Sequence, residues 1–326
     1  KIITDVVLGF DNRNWNFCLG QQHCRHEAHR SGTGYDNPII CLQTVYSMGR
    51  YVCLNLFIPV RSVCRELTLE YCMTEDTGLE YAPKGLIGVL TPQANTTVEP
   101  EYAIWMPSGF SWINARMTSN KAEIADRLVD YTDALDDHMK QFANAPVQSV
   151  AFGTTGASYL IGHEREDQMI AEFQDRYGIP LVMAATAICS ALALLGARRI
   201  GLVSPYPPGL TEKSIEYWQS RGLEVVTVSS AWDDQGAFHP IYALTGAPVS
   251  AALEPLLSRD DLDAILLLGT GMPTVRPIQA ARDKTATPII SCMLALVWAS
   301  VAAIDPAHDT ATALKSWLAG DHWRAD

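Results

Sequence analysis

Two stretches of this chain repeat. Ile87-Gly88-Val89-Leu90-Thr91-Pro92 is matched in character by Ile200-Gly201-Leu202-Val203-Ser204-Pro205, 113 residues later. Ser149-Val150-Ala151-Phe152-Gly153-Thr154 is matched by Ala264-Ile265-Leu266-Leu267-Leu268-Gly269-Thr270, which sets Gly153 and Gly269 116 residues apart. Two independent matches at nearly one offset indicate an internal duplication. Each matched piece is an apolar run that stops at Gly, Pro, Ser or Thr. That is the signature of a strand buried on both faces and feeding a loop.

Around these pieces, strand-length apolar runs alternate with amphipathic stretches. Strands are expected at 86–90, 113–117, 149–153, 181–183, 200–204, 224–228, 264–269 and 289–291. Helices are expected at 121–143, 164–177, 187–195, 211–221, 248–258, 275–282, 293–304 and 310–318. This alternation predicts an α/β fold: two pseudo-symmetric parallel-sheet halves, joined by right-handed crossovers, with a ligand cleft between them. The expected first half is 83–197 plus 293–326, the last helices returning to pack on it. The expected second half is 198–292.

The stretch before residue 83 reads differently. Six of the eight cysteines (Cys18, Cys24, Cys41, Cys53, Cys64 and Cys72) precede Met73. Apolar runs there are short and without period. His23, Cys24, His26 and His29 beside Cys18 invite a small zinc or disulfide module, but the spacing does not fit the familiar zinc pairs. The favoured expectation for 1–82 is a poorly defined extension, with Met73 resembling a native start.

The net charge of −12 belongs to the residues after Met73, where acids outnumber bases. It argues against nucleic acid or an anionic membrane as partner. No run approaches the roughly 18 apolar residues of a membrane span. A cytoplasmic protein is the default expectation; self-association is left open. Any small anion must be held by local donors rather than by a basic field.

Those donors are expected beyond the carboxyl ends of the strands, where open parallel sheets bind ligands. Four loops leave such ends, at 91–97, 153–158, 204–209 and 269–274. Gly153-Thr154-Thr155-Gly156-Ala157-Ser158 offers sharp backbone turns, exposed N–H groups and small hydroxyls. Gly269-Thr270-Gly271-Met272-Pro273-Thr274 repeats the device. Asn95, Thr96 and Thr97 add amide and hydroxyl donors, and Tyr206 adds a phenol. Each motif alone is also a common capped turn. Their convergence at paired strand ends is what suggests a cradle for a small carboxylate.

At these residues a family resemblance appears. Asn95-Thr96-Thr97-Val98-Glu99-Pro100 resembles the N-T-T-x-E-P signature of maleate cis-trans isomerases, members of the aspartate/glutamate racemase superfamily with arylmalonate decarboxylase as a relative. Asn114-Ala115-Arg116-Met117, the two Gly-Thr loops, Ser204-Pro205-Tyr206 and Trp298 fit the same pattern, over roughly 83–304. The resemblance implies an active site between the halves and neither metal nor organic cofactor. It implies that Asn95, Thr96, Gly153, Thr155, Tyr206, Gly271 and Met272 bind substrate. It further implies a pair of catalytic cysteines, one on each Gly-Thr loop.

Here the chain departs from the pattern. The first cysteine position falls on Thr154 (or Gly153), and the second on Gly269 or Thr270. Cys189 and Cys292 lie elsewhere, in apolar surroundings that suit small core residues. A threonine hydroxyl is a far poorer acid, base or nucleophile than a thiol. Three readings follow. The chain could stabilise an enediolate and borrow a proton from His163, His239 or water. It could activate Thr154, as a decarboxylase or hydrolase. Or it could bind a carboxylate without turning it over. Isomerase is the family's default, with decarboxylase second.

Overall fold

The computed structural model describes residues 77–232, 239–321 and 323–324, together with the backbone of five strands nearer the N terminus. The chain divides into two units, Lys1–Tyr71 and Cys72–Asp326. In the first, β1 (Val6–Asp11), β2 (Asn14–Leu19) and β3 (Gln22–Arg25) form an antiparallel sheet, and β4 (Leu42–Val45) pairs antiparallel with β5 (Tyr51–Leu54). The side chains of the Cys18, His23, Cys24, His26 and His29 cluster lie outside the described residues.

The second unit holds two parallel four-stranded sheets. One comprises β6 (Gly85–Pro92), β7 (Phe110–Met117), β8 (Ser149–Phe152) and β9 (Leu181–Met183), in the order β7-β6-β8-β9. The other comprises β10 (Arg199–Ser204), β11 (Glu224–Ser230), β12 (Ala264–Leu267) and β13 (Ile289–Ser291), in the order β11-β10-β12-β13. All eight expected strands are present, and the two orders are the same. The inner strands β6, β8 and β12 are buried along their whole length, which is why they read as unbroken apolar runs. The outer strands β7 and β11 are partly exposed and were the more polar in sequence.

In each sheet the chain leaves its first strand outward on one side and returns on the other. The switch falls between β6 and β8, and between β10 and β12. The four loops singled out above leave the carboxyl ends of just these strands, where parallel sheets bind ligands.

Helices cover both faces: α1 (Val98–Trp105), α2 (Ile124–Asp133), α3 (Leu135–Met139), α4 (Gly156–Ile161), α5 (His163–Tyr177), α6 (Ala184–Leu195), α7 (Pro208–Ser220), α8 (Gly246–Leu253), α9 (Val275–Ala281), α10 (Cys292–Ala302) and α11 (Ala311–Ala319). The single helix expected at 121–143 is broken at Ala134. Thr132 Oγ1 donates to Val129 O at 2.6 Å, a back-bond that competes with the helical ladder. Gly162, at φ 79°, separates α4 from α5. The return helix α10 packs against α6, α1 and β8. Its Trp298, Leu296 and Val297 join a core shared by both halves, while a smaller core around Val203, Leu253, Ile265 and Met272 belongs to the second half alone. Among the described residues, no helix is long and apolar enough to cross a membrane.

Candidate active site

The loop after β6 is braced from within. Asn95 Oδ1 accepts from the backbone N–H groups of Thr97 at 2.8 Å and Val98 at 3.1 Å, so it caps α1. Arg116 donates to the carbonyls of Pro92 (3.1 Å) and Asn95 (2.9 Å) and pairs with Glu99, which also accepts from Asn114. The same loop then reaches across. Asn95 Nδ2 donates to Thr270 O at 3.2 Å, Thr97 Oγ1 to Gly271 O at 2.9 Å and Thr96 Oγ1 to Tyr242 O at 2.9 Å. Asn95 and Thr97 therefore lace the first half to the second half's Gly-Thr loop. Asn95, expected at the substrate, has its amide oxygen on the Thr97 and Val98 N–H groups and one amide hydrogen on Thr270 O.

Thr270 makes the reciprocal link: its hydroxyl donates to Gly153 O at 2.6 Å. Glu101, on α1, completes the seam. Its carboxylate accepts from the backbone N–H groups of Thr274 (2.5 Å) and Val275 (3.3 Å) and meets the Thr274 hydroxyl, capping α9 from the opposite half. Burial pushes Glu101 up to about 8, only partly offset by these donors. Its role was not anticipated; the signal was a second acid directly after the Glu99-Pro100 pair.

Between the laced loops lies a small pocket. Its polar side is made by Thr154, Thr155, Gly156, Tyr206, Gly269, Thr270 and Gly271; its other wall is Ile124, Leu128, Ile241, Tyr242 and His239. The free volume is about 20 Å³, room for about one water. Of the residues named from sequence, Thr154, Thr155, Tyr206, Gly269, Thr270 and Gly271 meet here. Met272 does not: its side chain is buried in the second half's core. Thr96 sits on the outside, exposed, and Gly153 contributes its carbonyl to Thr270.

Neither glycine at the cysteine positions has room for a side chain. A Cβ on Gly153 would lie 2.7 Å from the Leu90 carbonyl oxygen. Gly269 has φ 81°, and a Cβ there would stand 3.1 Å from the Tyr206 hydroxyl. The residues facing the pocket are the threonines beside them. Thr155 Oγ1 is buried and has no hydrogen-bond partner among the described residues.

Of the histidines, His239 lines the pocket and His163 begins α5 away from it. His239 Nδ1 accepts from the backbone N–H groups of Ile241 (3.2 Å) and Tyr242 (3.3 Å). That leaves the ring proton on Nε2. Desolvation, with the Arg127 charge, lowers its pKa to about 4. His239 is thus a neutral donor near pH 7, with its Nδ1 lone pair spent, and is poorly placed to act as a base. Cys292 lies behind the polar wall at the end of β13, where burial pushes its thiol up to about 11. Cys189 lies apart, beside Arg221 and Glu166, pushed up to about 12 by burial. Among the described residues, no group of three or more His, Cys, Asp or Glu could hold a metal ion.

The scaffold is a duplicated α/β fold with paired glycine-threonine loops facing one pocket between its halves. The family model for arylmalonate decarboxylase (Amdase) matches residues 87–316, and the chain belongs to that family. It is 26% identical over 229 residues to a maleate isomerase of Geobacillus stearothermophilus, spanning 65% of this chain and 88% of that one. It is 22% identical over 224 residues to an arylmalonate decarboxylase of Bordetella bronchiseptica, spanning 68% and 92%. In fold it is similar to a Nocardia farcinica maleate cis-trans isomerase mutant carrying a covalently bound succinylcysteine intermediate, with a TM-score of 0.58, 22% identity and coverage of 68% and 93%.

Proposed function

We propose that the chain is a cofactor-independent, cytoplasmic enzyme acting on a small carboxylate through a stabilised enediolate, without the cysteine pair of its relatives. The observation that carries this reading is the convergence of Thr154, Thr155, Tyr206, Gly269, Thr270 and Gly271 on one pocket between the halves. Backbone N–H groups and hydroxyls held in place by the fold lose little reorganisation energy when charge develops on a carboxylate oxygen. Among the described residues, no lysine or arginine lines the pocket, so the donors there are neutral.

Isomerisation of maleate is the first activity to test, because the maleate isomerases are the nearer relatives among those described. A second reading has its own observation. The wall formed by Ile124, Leu128 and Ile241 suits an apolar substituent, and neither Gly-Thr loop carries a thiol to add to a double bond. Both features favour decarboxylation of a substituted malonate. Parallel assays on maleate and on an arylmalonate separate the two, and turnover of neither would sink the enzyme reading.

Tyr206→Phe tests the cradle. The Tyr206 hydroxyl is buried beside Thr155, and its loss is expected to weaken carboxylate binding by about 1–2 kcal/mol, as for a buried hydrogen bond. Unchanged affinity by calorimetry would remove Tyr206 from the site.

A further inference from the structure

Ser158 and Thr274 stand equally far beyond Gly153 and Gly269, and the hydroxyl of each meets a buried carboxylate. For Thr274 that carboxylate is Glu101, from the opposite half. For Ser158 it is Glu166, on α5 of the same half, whose Oε1 accepts from the serine at 2.7 Å. The opposite half is engaged one bond further on. Glu166 Oε2 accepts from the Tyr217 hydroxyl and from Arg221 Nη2, the latter at 2.8 Å. Arg221 Nε donates to the Tyr217 hydroxyl at 3.1 Å. Arg221 lies at the end of α7 and also holds Asp167 through two bonds of 2.8 Å. The Glu166 side chain is fully buried, and that of Arg221 is 16% exposed.

A buried ion pair is a weak source of stability. Desolvation of the two charges offsets most of their attraction, and apolar residues of similar size often stabilise a core as well. What this pair does supply is fixed geometry, and it supplies it beside the pocket. α4 issues from the loop carrying Thr154 and Thr155, α7 follows Tyr206, and the two helices pack on each other. Tyr159, the residue after Ser158, meets the Tyr206 ring edge-on at 5.9 Å. It also packs on Tyr217 at 5.4 Å and on Trp218 at 5.6 Å. Glu166 thus holds the chain neighbour of Tyr159 and one of its packing neighbours, and Tyr159 backs Tyr206.

We infer that Glu166 is a positioning residue of this site: through Ser158 and Tyr217, and braced by Arg221, it fixes Tyr159 and so sets where Tyr206 stands relative to the first Gly-Thr loop. The inference rests on the function proposed above, because it concerns the cradle in which charge develops. Such donors serve the transition state when they stand where the charge forms. A small displacement therefore costs rate before it costs ground-state binding. Glu166 touches no substrate; its effect reaches the pocket through Tyr159.

The test compares the wild type with Tyr217→Phe, Ser158→Ala and the variant carrying both. These changes cut the links from Glu166 and leave its pairing with Arg221 and the aromatic packing in place. We measure kcat and KM on maleate and on an arylmalonate, at a temperature well below each thermal midpoint. Each single variant is expected to lower kcat by about 10-fold, and the double variant by more, with KM within about twofold of the wild type. A residue that only stabilised the fold would lower the midpoint and leave kcat unchanged. Wild-type kcat in the double variant overturns the inference and leaves the proposed function standing. A loss carried by KM alone overturns it as well. Should the double variant not fold, the two single variants decide by the same criteria. A wild type that turns over neither substrate overturns the proposed function, and this inference with it.

Discussion

The two Gly-Thr loops are copies in sequence and opposites in use. On the first, a Cβ at Gly153 would strike the Leu90 carbonyl, and the loop runs directly into α4. On the second, Gly269 takes a left-handed turn, and α9 begins only at Val275. The first loop presents Thr155 with an uncommitted hydroxyl; the second spends Thr270 on the Gly153 carbonyl. Duplication supplied two equivalent cradles, and lacing them together consumed the donors of one. The chemistry is left concentrated on Thr155, Tyr206 and whatever stands behind them.

Four substitutions at three positions would break or sharpen this contrast. Glu101→Ala should be the most damaging, at about 3 kcal/mol of unfolding free energy, because it strips the cap from α9 and leaves buried N–H groups unmet. Denaturant titration measures it. Glu101→Gln keeps the shape and tests the pH dependence. A carboxyl raised from 4.5 to about 8 favours the folded state in its protonated form, so its contribution is complete below 4.5 and is lost as pH rises from there through 8. The wild-type thermal midpoint should fall between about pH 5 and 8 and level off above, and Glu101→Gln should flatten that slope. A wild-type curve with no fall would refute the assignment. Gly153→Ala should cost about 2 kcal/mol, since the obstructing atom is backbone and cannot rotate away. Thr270→Val should cost least, about 1 kcal/mol for one lost hydrogen bond. If instead Thr270→Val abolished activity with stability intact, the two threonines would be alike after all.

Much of the scaffold was legible in the sequence. Buried parallel strands read as continuous apolar runs, and the four loops followed from where those runs stop. The break at Ala134 was not legible, because no Gly or Pro marks it and the cause is a side-chain bond from Thr132. Within the site, residue type showed that Asn95, Thr155 and Thr270 could donate hydrogen bonds, but not to what. Asn95 and Thr270 turned out to serve the seam.

Glu101 carries one further consequence. A helix of one half is finished by a side chain of the other, and α10 and α11, which follow the second half in the chain, pack on the first. The duplication can therefore no longer be undone by gene fission. A chain cut between α6 and β10 would yield two interlocking fragments, each missing a part that only the other can supply, rather than two free-standing ancestors.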